Sequence, residues 1–450
     1  MSRIPKSVAG DAITSTESWE TLEALVSIGN RMAGQDGEAS GARVVADTFE
    51  NVGAREIEIN EFQIPGWWRE SSSLAVEDED LSGDHEVIAL PGTPSGEETG
   101  ELVDVGYGLA ADFEERDLEG KVVMASSETP DDHGRWIHRM EKYASAADAG
   151  AVGFIFRNHV EGCLPPTGEV GYHNRPGPIP AVGVSAEVGA RLLREYGGAK
   201  AETKGEKGTE ATISVECRNE PTNSRNVEAV IGPETETEVL VTAHVDAHDI
   251  SEGANDNGAG SALVAEIGRL LCNINLDTRI RLVTFGSEEI GLYGAYHWAQ
   301  THDLDSVKCV INIDGAGNSR NLGVGTNGFA ELGETFEEVA DDLRVPLSTH
   351  EGISPHGDQW AFVQEGVPSV MAYSRSEGSG RGWGHTHADT LDKLDIRDLR
   401  ALAIVLSNAV VAVAEEGREI PHKSREQIRK EIDDGYVEEL KIGGRWPYDE

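Results

Sequence analysis

Apolar side chains recur at helical spacing over residues 17–52, broken by a glycine-bearing loop at 34–41, and strand-like alternation at Ile57, Ile59 and Phe62 follows. This opening reads as the start of an α/β domain. After about Ser82 the texture changes to short apolar runs between Gly- and Pro-rich loops at 90–96, 165–167 and 176–180. Within that stretch the pattern predicts a strand at 121–125, a helix at 142–150 and a buried strand at 152–156.

The α/β texture returns at Asn226. Strands are predicted at 227–231, 238–244, 279–285, 307–313 and 369–373, with a helix at 261–271 that places Leu263, Ile267 and Leu270 on one face. A long apolar helix at 399–413 follows. Strands alternating with helices in this way predict a mostly parallel, mixed sheet sandwiched by helices, because uniformly apolar strands must be covered on both faces. The expected division is an α/β domain in two parts, 1–82 and 221–417, a β-rich insertion at 83–220, and an acidic tail at 418–450 with a peripheral helix and a Trp446-Pro447-Tyr448 tether.

Charge changes the picture. Lys and Arg number 38 against 81 Asp and Glu, a net charge of −43 spread along the whole chain, and Arg (27) outnumbers Lys (11). Nucleic acid and anionic membranes are excluded as partners, since phosphate binding needs clusters of basic side chains. The pattern resembles proteins of salt-loving archaea. At about 1 M salt the Debye length is about 3 Å, so crowded surface carboxylates barely repel one another. The N-terminal stretch has no apolar signal core, and no uncharged apolar run approaches a membrane span, so a cytoplasmic protein is expected. Cys163, Cys217, Cys272 and Cys309 lie far apart without a C-x-x-C pair and are expected to be reduced core residues.

Six polar residues fall at the carboxyl ends of predicted strands or in the loop between them: His244, Asp246, Asp256, Glu288, Glu289 and Asp314. Singly, each is most simply a loop residue or a helix cap. Together they put one His and five carboxylates at the edge where open α/β sheets form their sites. Imidazole and carboxylate donors in this number suit a pair of divalent ions.

The order of these residues, HVD, then the Asp of NDNGAG twelve residues after His244, then SEEIGLYGA, INIDGAG and HTHADT, resembles the dinuclear zinc exopeptidase family of bacterial leucyl aminopeptidases and their carboxypeptidase relatives. The middle segment, with GKVV, a helix leading into AGAVGFIF, and IPAVGVS, resembles an inserted protease-associated (PA) domain, a lid or access module in its relatives. The resemblance implies the zinc exopeptidase, or phosphorylase/hydrolase-like, fold and two Zn²⁺ ions, with Co²⁺ or Mn²⁺ as alternatives. Asp256 would bridge the ions, His244 and Asp314 complete one site, Glu289 and His385 the other, Glu288 act as general base, and Asp246 orient His244. It also implies a cis bond between Asp256 and Asn257.

Geometry alone leaves both His385 and His387 of HTHADT open as ligands; the family pattern His-Thr-x-x-Asp favours His385. His248 and Asp249 match no family position and are expected to be loop residues. Gly384 stands where several relatives have a tyrosine that polarises the substrate carbonyl, so Tyr373 or His356 is a candidate substitute. Asp358 is expected either beneath the site or as a helix cap. The expected activity is aminopeptidase action on peptides. The alternatives are a carboxypeptidase or dipeptidase using Arg375 and Arg381 to grip a carboxylate, or a non-catalytic scaffold like transferrin receptors. A homo-oligomer is compatible with the sequence.

Overall fold

Uninterrupted apolar runs form the centre of one twisted sheet. The computed structural model describes residues 3–196, 208–375 and 382–448. Its strands are β1 (Arg55–Val76), β2 (Glu79–Leu81), β3 (Val87–Ala89), β4 (Gly96–Asp104), β5 (Lys121–Ser126), β6 (Gly153–Arg157), β7 (Ala181–Val184), β8 (Glu210–Ile231), β9 (Glu238–His244), β10 (Arg279–Phe285), β11 (Val307–Ile313), β12 (Leu322–Gly325), β13 (Leu347–His350) and β14 (Ser369–Ser374). They are ordered β13-β12-β14-β11-β9-β10-β8-β4-β5-β6-β7-β3, with β1 and β2 joined through β8.

Two parallel blocks share this sheet. In one, β14, β11, β9 and β10 run parallel; in the other, β4, β5, β6 and β7 do. Every residue of β9 is buried, as expected for a parallel strand covered on both faces. The helix Ala259–Leu271 packs behind β9 against the helices Glu17–Val26 and Ile396–Ala414. Its Leu263, Ile267 and Leu270 are buried, each worth about 1.5–3 kcal/mol of apolar transfer.

The two blocks are joined by β1 and β8, antiparallel partners of 22 residues each. Only the 227–231 end of β8 was expected as strand. Pro65 faces Pro221 in this ribbon, and proline normally argues against a central strand. Here it is tolerated because the far side of β8 is unpaired at that point: β4 pairs no further than Val215 and β10 begins at Val227.

The expected loop at 34–41 is mostly helix, Asp36–Asn51. Gly34 does turn the chain, at φ 72°, but Gly37 within the helix is small for packing: a Cβ there would lie 1.5 Å from the Asn30 carbonyl oxygen. The tail forms two short helices, Arg425–Glu431 and Asp434–Ile442, whose Ile428 and Leu440 join the main core. The Tyr448 hydroxyl then donates to the Gln364 carbonyl at 2.9 Å. All four cysteines are free thiols, but only Cys309 is buried and Cys163 is exposed, which corrects the expectation that they share a core role. Among the described residues no helix is long and apolar enough to cross a membrane.

Candidate active site

The parallel strands deliver their last residues to one edge. His244 ends β9 and Asp314 follows β11. Asp256 sits in the turn before the helix Ala259–Leu271, on a peptide bond to Asn257 that is cis. That turn is tied down closely. Asn257 Nδ2 donates to the Ile313 carbonyl at 2.9 Å, and Ser261 Oγ to the His244 carbonyl at 2.7 Å. A side chain at Gly260 would collide with Asn257 Oδ1 at 2.1 Å and Ile313 O at 2.6 Å.

Asp256 faces a histidine with each oxygen. Its Oδ1 lies 3.3 Å from His244 Nε2, and its Oδ2 lies 3.3 Å from His385 Nε2. His244 Nε2 also faces Asp314 Oδ1 at 3.6 Å, and His385 Nε2 faces Glu289 Oε2 at 3.1 Å. Donor atoms sharing a tetrahedral ion at about 2.0–2.2 Å lie roughly 3.3 Å apart, so these separations fit a divalent metal on either side of Asp256. Buried carboxylates this crowded are costly without cations.

Asp246 is fully buried and does more than face His244. His244 Nδ1 lies 3.1 Å from the Asp246 carbonyl oxygen and 3.4 Å from its Oδ1. The Asp246 carboxylate also accepts the backbone N–H of Glu288 at 3.1 Å and of Glu289 at 3.2 Å. The chain turns sharply there, with Ser287 and Leu292 at positive φ and Gly291 at φ 131°, so the two neighbouring glutamates both reach the site. Their acidities diverge. Burial pushes the Glu288 carboxyl well up, helped by Glu289 and Asp314. Burial acts on Glu289 in the same sense, but His248 and His385 outweigh it and hold Glu289 well down.

Of the two histidines of HTHADT, the structure turns His385 into the cluster. His387 instead places Nδ1 2.9 Å from the Ile250 carbonyl and Nε2 2.9 Å from the Asp84 carbonyl. Asp358 is completely buried, and neither of its carboxylate oxygens is hydrogen-bonded by any of the described residues. It does not cap the helix Trp360–Val363, whose N-cap is Gln359. Burial, with Asp246 and Asp314 nearby, drives its carboxyl well up.

Three residues of this neighbourhood escaped the sequence reading. His248, expected in a loop, is buried with Nε2 2.9 Å from Glu289 Oε2. Asp389 accepts the backbone N–H of Asn255 at 2.8 Å and of Asp256 at 3.0 Å; its place four residues after His385 in HTHADT was the available signal. Arg31, fully buried, donates to the carbonyls of Leu25, Val245, Glu252 and Gly253. Nothing in its sequence surroundings marks it.

The cluster opens into a cavity of about 1100 Å³. The middle segment supplies Trp136, His138, His159 and Glu169 to its wall, and the tail supplies Glu439. Tyr373 and His356 both line it, and His356 Nε2 lies 2.7 Å from Glu439 Oε1. Arg375 turns away, donating to Ser348 Oγ at 2.5 Å; Arg381 lies outside the described residues.

Residues 226–410 match peptidase family M28 and residues 98–192 match the PA domain. The chain is 27% identical over 426 residues to aminopeptidase YwaD of Bacillus subtilis, covering 90% of this chain and 86% of that protein. It is 24% identical over 423 residues to human carboxypeptidase Q, with the same coverage of 90% and 86%. A solved zinc aminopeptidase from Bacillus subtilis superposes with a TM-score of 0.67 at 25% identity, over 88% of this chain and 93% of that one.

Proposed function

We propose that this chain, a metallo-exopeptidase built from a PA domain and a peptidase family M28 domain, is a two-zinc aminopeptidase that removes N-terminal residues from peptides. The observation that carries this reading is Asp256 with one oxygen toward His244 and the other toward His385, the arrangement a bridging carboxylate requires. In this reading His244 and Asp314 complete one site, and Glu289 and His385 the other. Two zinc ions held there would supply Lewis acidity and an acidified water, and Co²⁺ or Mn²⁺ could replace them.

Glu288 supplies the proton chemistry. It lines the cavity beside Glu289 and Asp314, and its raised affinity for a proton suits a group that takes one from water and returns it to the departing amine. Glu289, held ionised, suits a ligand. Asp246 fixes the backbone of both glutamates and so acts as a positioning residue.

The wall chemistry favours an amine over a carboxylate at the substrate terminus. Acidic side chains outnumber Arg and Lys in the lining, and its cations are engaged: Arg445 with Glu169 at 2.5 Å, Lys393 with Asp392 at 2.6 Å, and Arg139 Nε with the Glu169 carbonyl at 3.1 Å. The likeness to carboxypeptidase Q keeps carboxypeptidase or dipeptidase action as the second reading, although Arg375 turns away from the cavity. The complete donor set supports an enzyme over a scaffold. Residues 83–220 are read as the inserted module, with 1–82 and 221–417 as the peptidase halves and 418–450 as the tail. Cytoplasmic placement in a salt-rich cell rests on the acidic composition.

The deciding assay compares an amide-blocked dipeptide bearing a free amine with an N-blocked one bearing a free carboxylate, in concentrated KCl with Zn²⁺. Cleavage of the first alone is expected. Cleavage of the second alone would establish the carboxypeptidase reading, and cleavage of neither would rule out an exopeptidase.

A further inference from the structure

His248 belongs to no expected ligand set, yet it sits against one. It is 2% exposed, and its Nε2 lies 2.9 Å from the same Glu289 oxygen that faces His385 Nε2 at 3.1 Å. The two imidazole rings meet edge to face with centroids 4.3 Å apart. One donor atom from each of His248, Glu289 and His385 falls within 4.8 Å of the other two. Nε2 meets Glu289 out of line for a good hydrogen bond, and Nδ1 has no hydrogen-bond partner among the described residues.

The segment carrying His248 is held in place by β1 and the middle segment. Asp249, its neighbour, is gripped by Arg69 from β1 through two contacts at 2.7 Å and 2.9 Å, with both side chains largely buried. The same guanidinium reaches the Ala89 carbonyl and lies 3.2 Å from Thr167 Oγ1. Thr167 in turn donates its backbone N–H to the His385 carbonyl at 2.8 Å. Arg69 and Thr167 therefore pin both histidine-bearing segments at once. A bidentate Arg–carboxylate pair is directionally specific in a way that a loop contact is not.

We propose that His248 is a direct third ligand of the Glu289–His385 metal site, set in place by the Arg69–Asp249 pair. This rests on the two-metal reading given above. The consequence is a pair of unequal sites. One has His248, His385, Glu289 and the shared Asp256; the other has His244, Asp314 and the shared Asp256. Imidazole-rich sites favour zinc, whereas carboxylate-rich sites also accept harder cations. The Glu289 side should therefore be the tighter zinc site, and the Asp314 side the exchangeable one.

The test titrates the metal-free full chain with Co²⁺ in concentrated KCl, following visible absorption and binding isotherms for wild type, His248→Ala, His248→Gln and Arg69→Gln. Wild type should take up two ions with unequal affinities. In both His248 variants one ion should bind more than about 100-fold more weakly, beyond the 10–100-fold typical of a residue that only orients a ligand. Its absorption band should also change, and free imidazole should restore the band in His248→Ala. Arg69→Gln should weaken the same ion and leave the band shape intact. An unchanged band in both His248 variants, at any affinity, would overturn the proposal and leave His248 as a hydrogen-bond donor to Glu289. Wild-type protein that takes up no cobalt would instead sink the two-metal reading, and this inference with it.

Discussion

Asp389 holds Asp256 by its backbone, accepting the Asp256 N–H at 3.0 Å on one oxygen while the other accepts the Asn255 N–H at 2.8 Å. Burial, reinforced by Asp256, pushes the Asp389 carboxyl up to about 7. Asp389→Asn keeps the shape but turns an NH₂ group toward one of two N–H donors. Metal affinity should fall about 10–100-fold, the usual loss when a ligand is no longer oriented. Competition against a chromogenic chelator measures this, and unchanged affinity would show that Asp389 does not position the bridging carboxylate.

Arg31 acts on the fold more than on the chemistry. Its guanidinium spans the carbonyls of Leu25, Val245, Glu252 and Gly253, so it fastens the segment after β9 to the N-terminal helices. Burial lowers its pKa to about 10, with Asp389 and Asp246 resisting that shift. Arg31→Met strands several buried acceptors and should cost about 3–5 kcal/mol. Arg31→Lys should recover only part, because an ammonium cannot reproduce the fork. Urea midpoints in concentrated KCl would show it, and a loss under about 1 kcal/mol would contradict the assignment.

Much of the catalytic half could be read from the sequence because its strands are parallel and buried. β9, β10 and β11 begin and end where their apolar runs do, and a polar residue directly after such a run lies at the site edge by topology. The remainder depends on contacts that no local pattern records. Arg69 and Asp249 are 180 positions apart, and Thr167 reaches His385 from the middle segment. The β1–β8 ribbon was legible only in part, from the alternation at Ile57, Ile59 and Phe62 and the run at 227–231: most of β1 is exposed or half-buried, so its full length carries no continuous apolar alternation. The same absence of local signal concealed His248 and Arg31.

Glu38 sets a pH dependence of stability. It is buried on the helix Asp36–Asn51, accepting from Ser224 Oγ at 2.5 Å and from the Gly34 N–H at 3.0 Å. Burial, with Asp246 adding to it, raises its pKa to about 8, against about 4.3 in an unfolded chain. The folded state thus holds a proton that the unfolded state releases. Stability should fall as pH rises from about 4.3 to about 8, by up to about 1.4 kcal/mol per pH unit for this one group. Glu38→Gln should flatten that slope and be relatively more stable at pH 8. Equal slopes for the variant and the wild type would assign the effect elsewhere.

The surface charge predicts a salt requirement. With a net charge of −43, transfer to about 50 mM salt extends the Debye length beyond about 10 Å and restores repulsion among surface carboxylates. Far-UV circular dichroism and activity should both decline, and readdition of KCl should restore them if refolding is reversible. A protein fully folded and active at low salt would remove the halophilic reading.

The adjacent glutamates should fail in different ways. Both hang from Asp246 by their backbone N–H groups, so substituting either side chain leaves that anchor in place. Glu289 Oε2 lies within 3.1 Å of His385 and 2.9 Å of His248, in the centre of a donor cluster. Glu288 lines the cavity and has a proton affinity raised by burial. Glu288→Gln should therefore keep two metal ions per chain and lower turnover by about 10²–10⁴, the range for a lost general base. Glu289→Gln should lose affinity for one ion, and excess metal should restore part of its activity. Elemental analysis beside turnover separates the two. Metal loss in Glu288→Gln with full occupancy in Glu289→Gln would exchange the roles of base and ligand, and full activity in both would place the reaction elsewhere in the cavity.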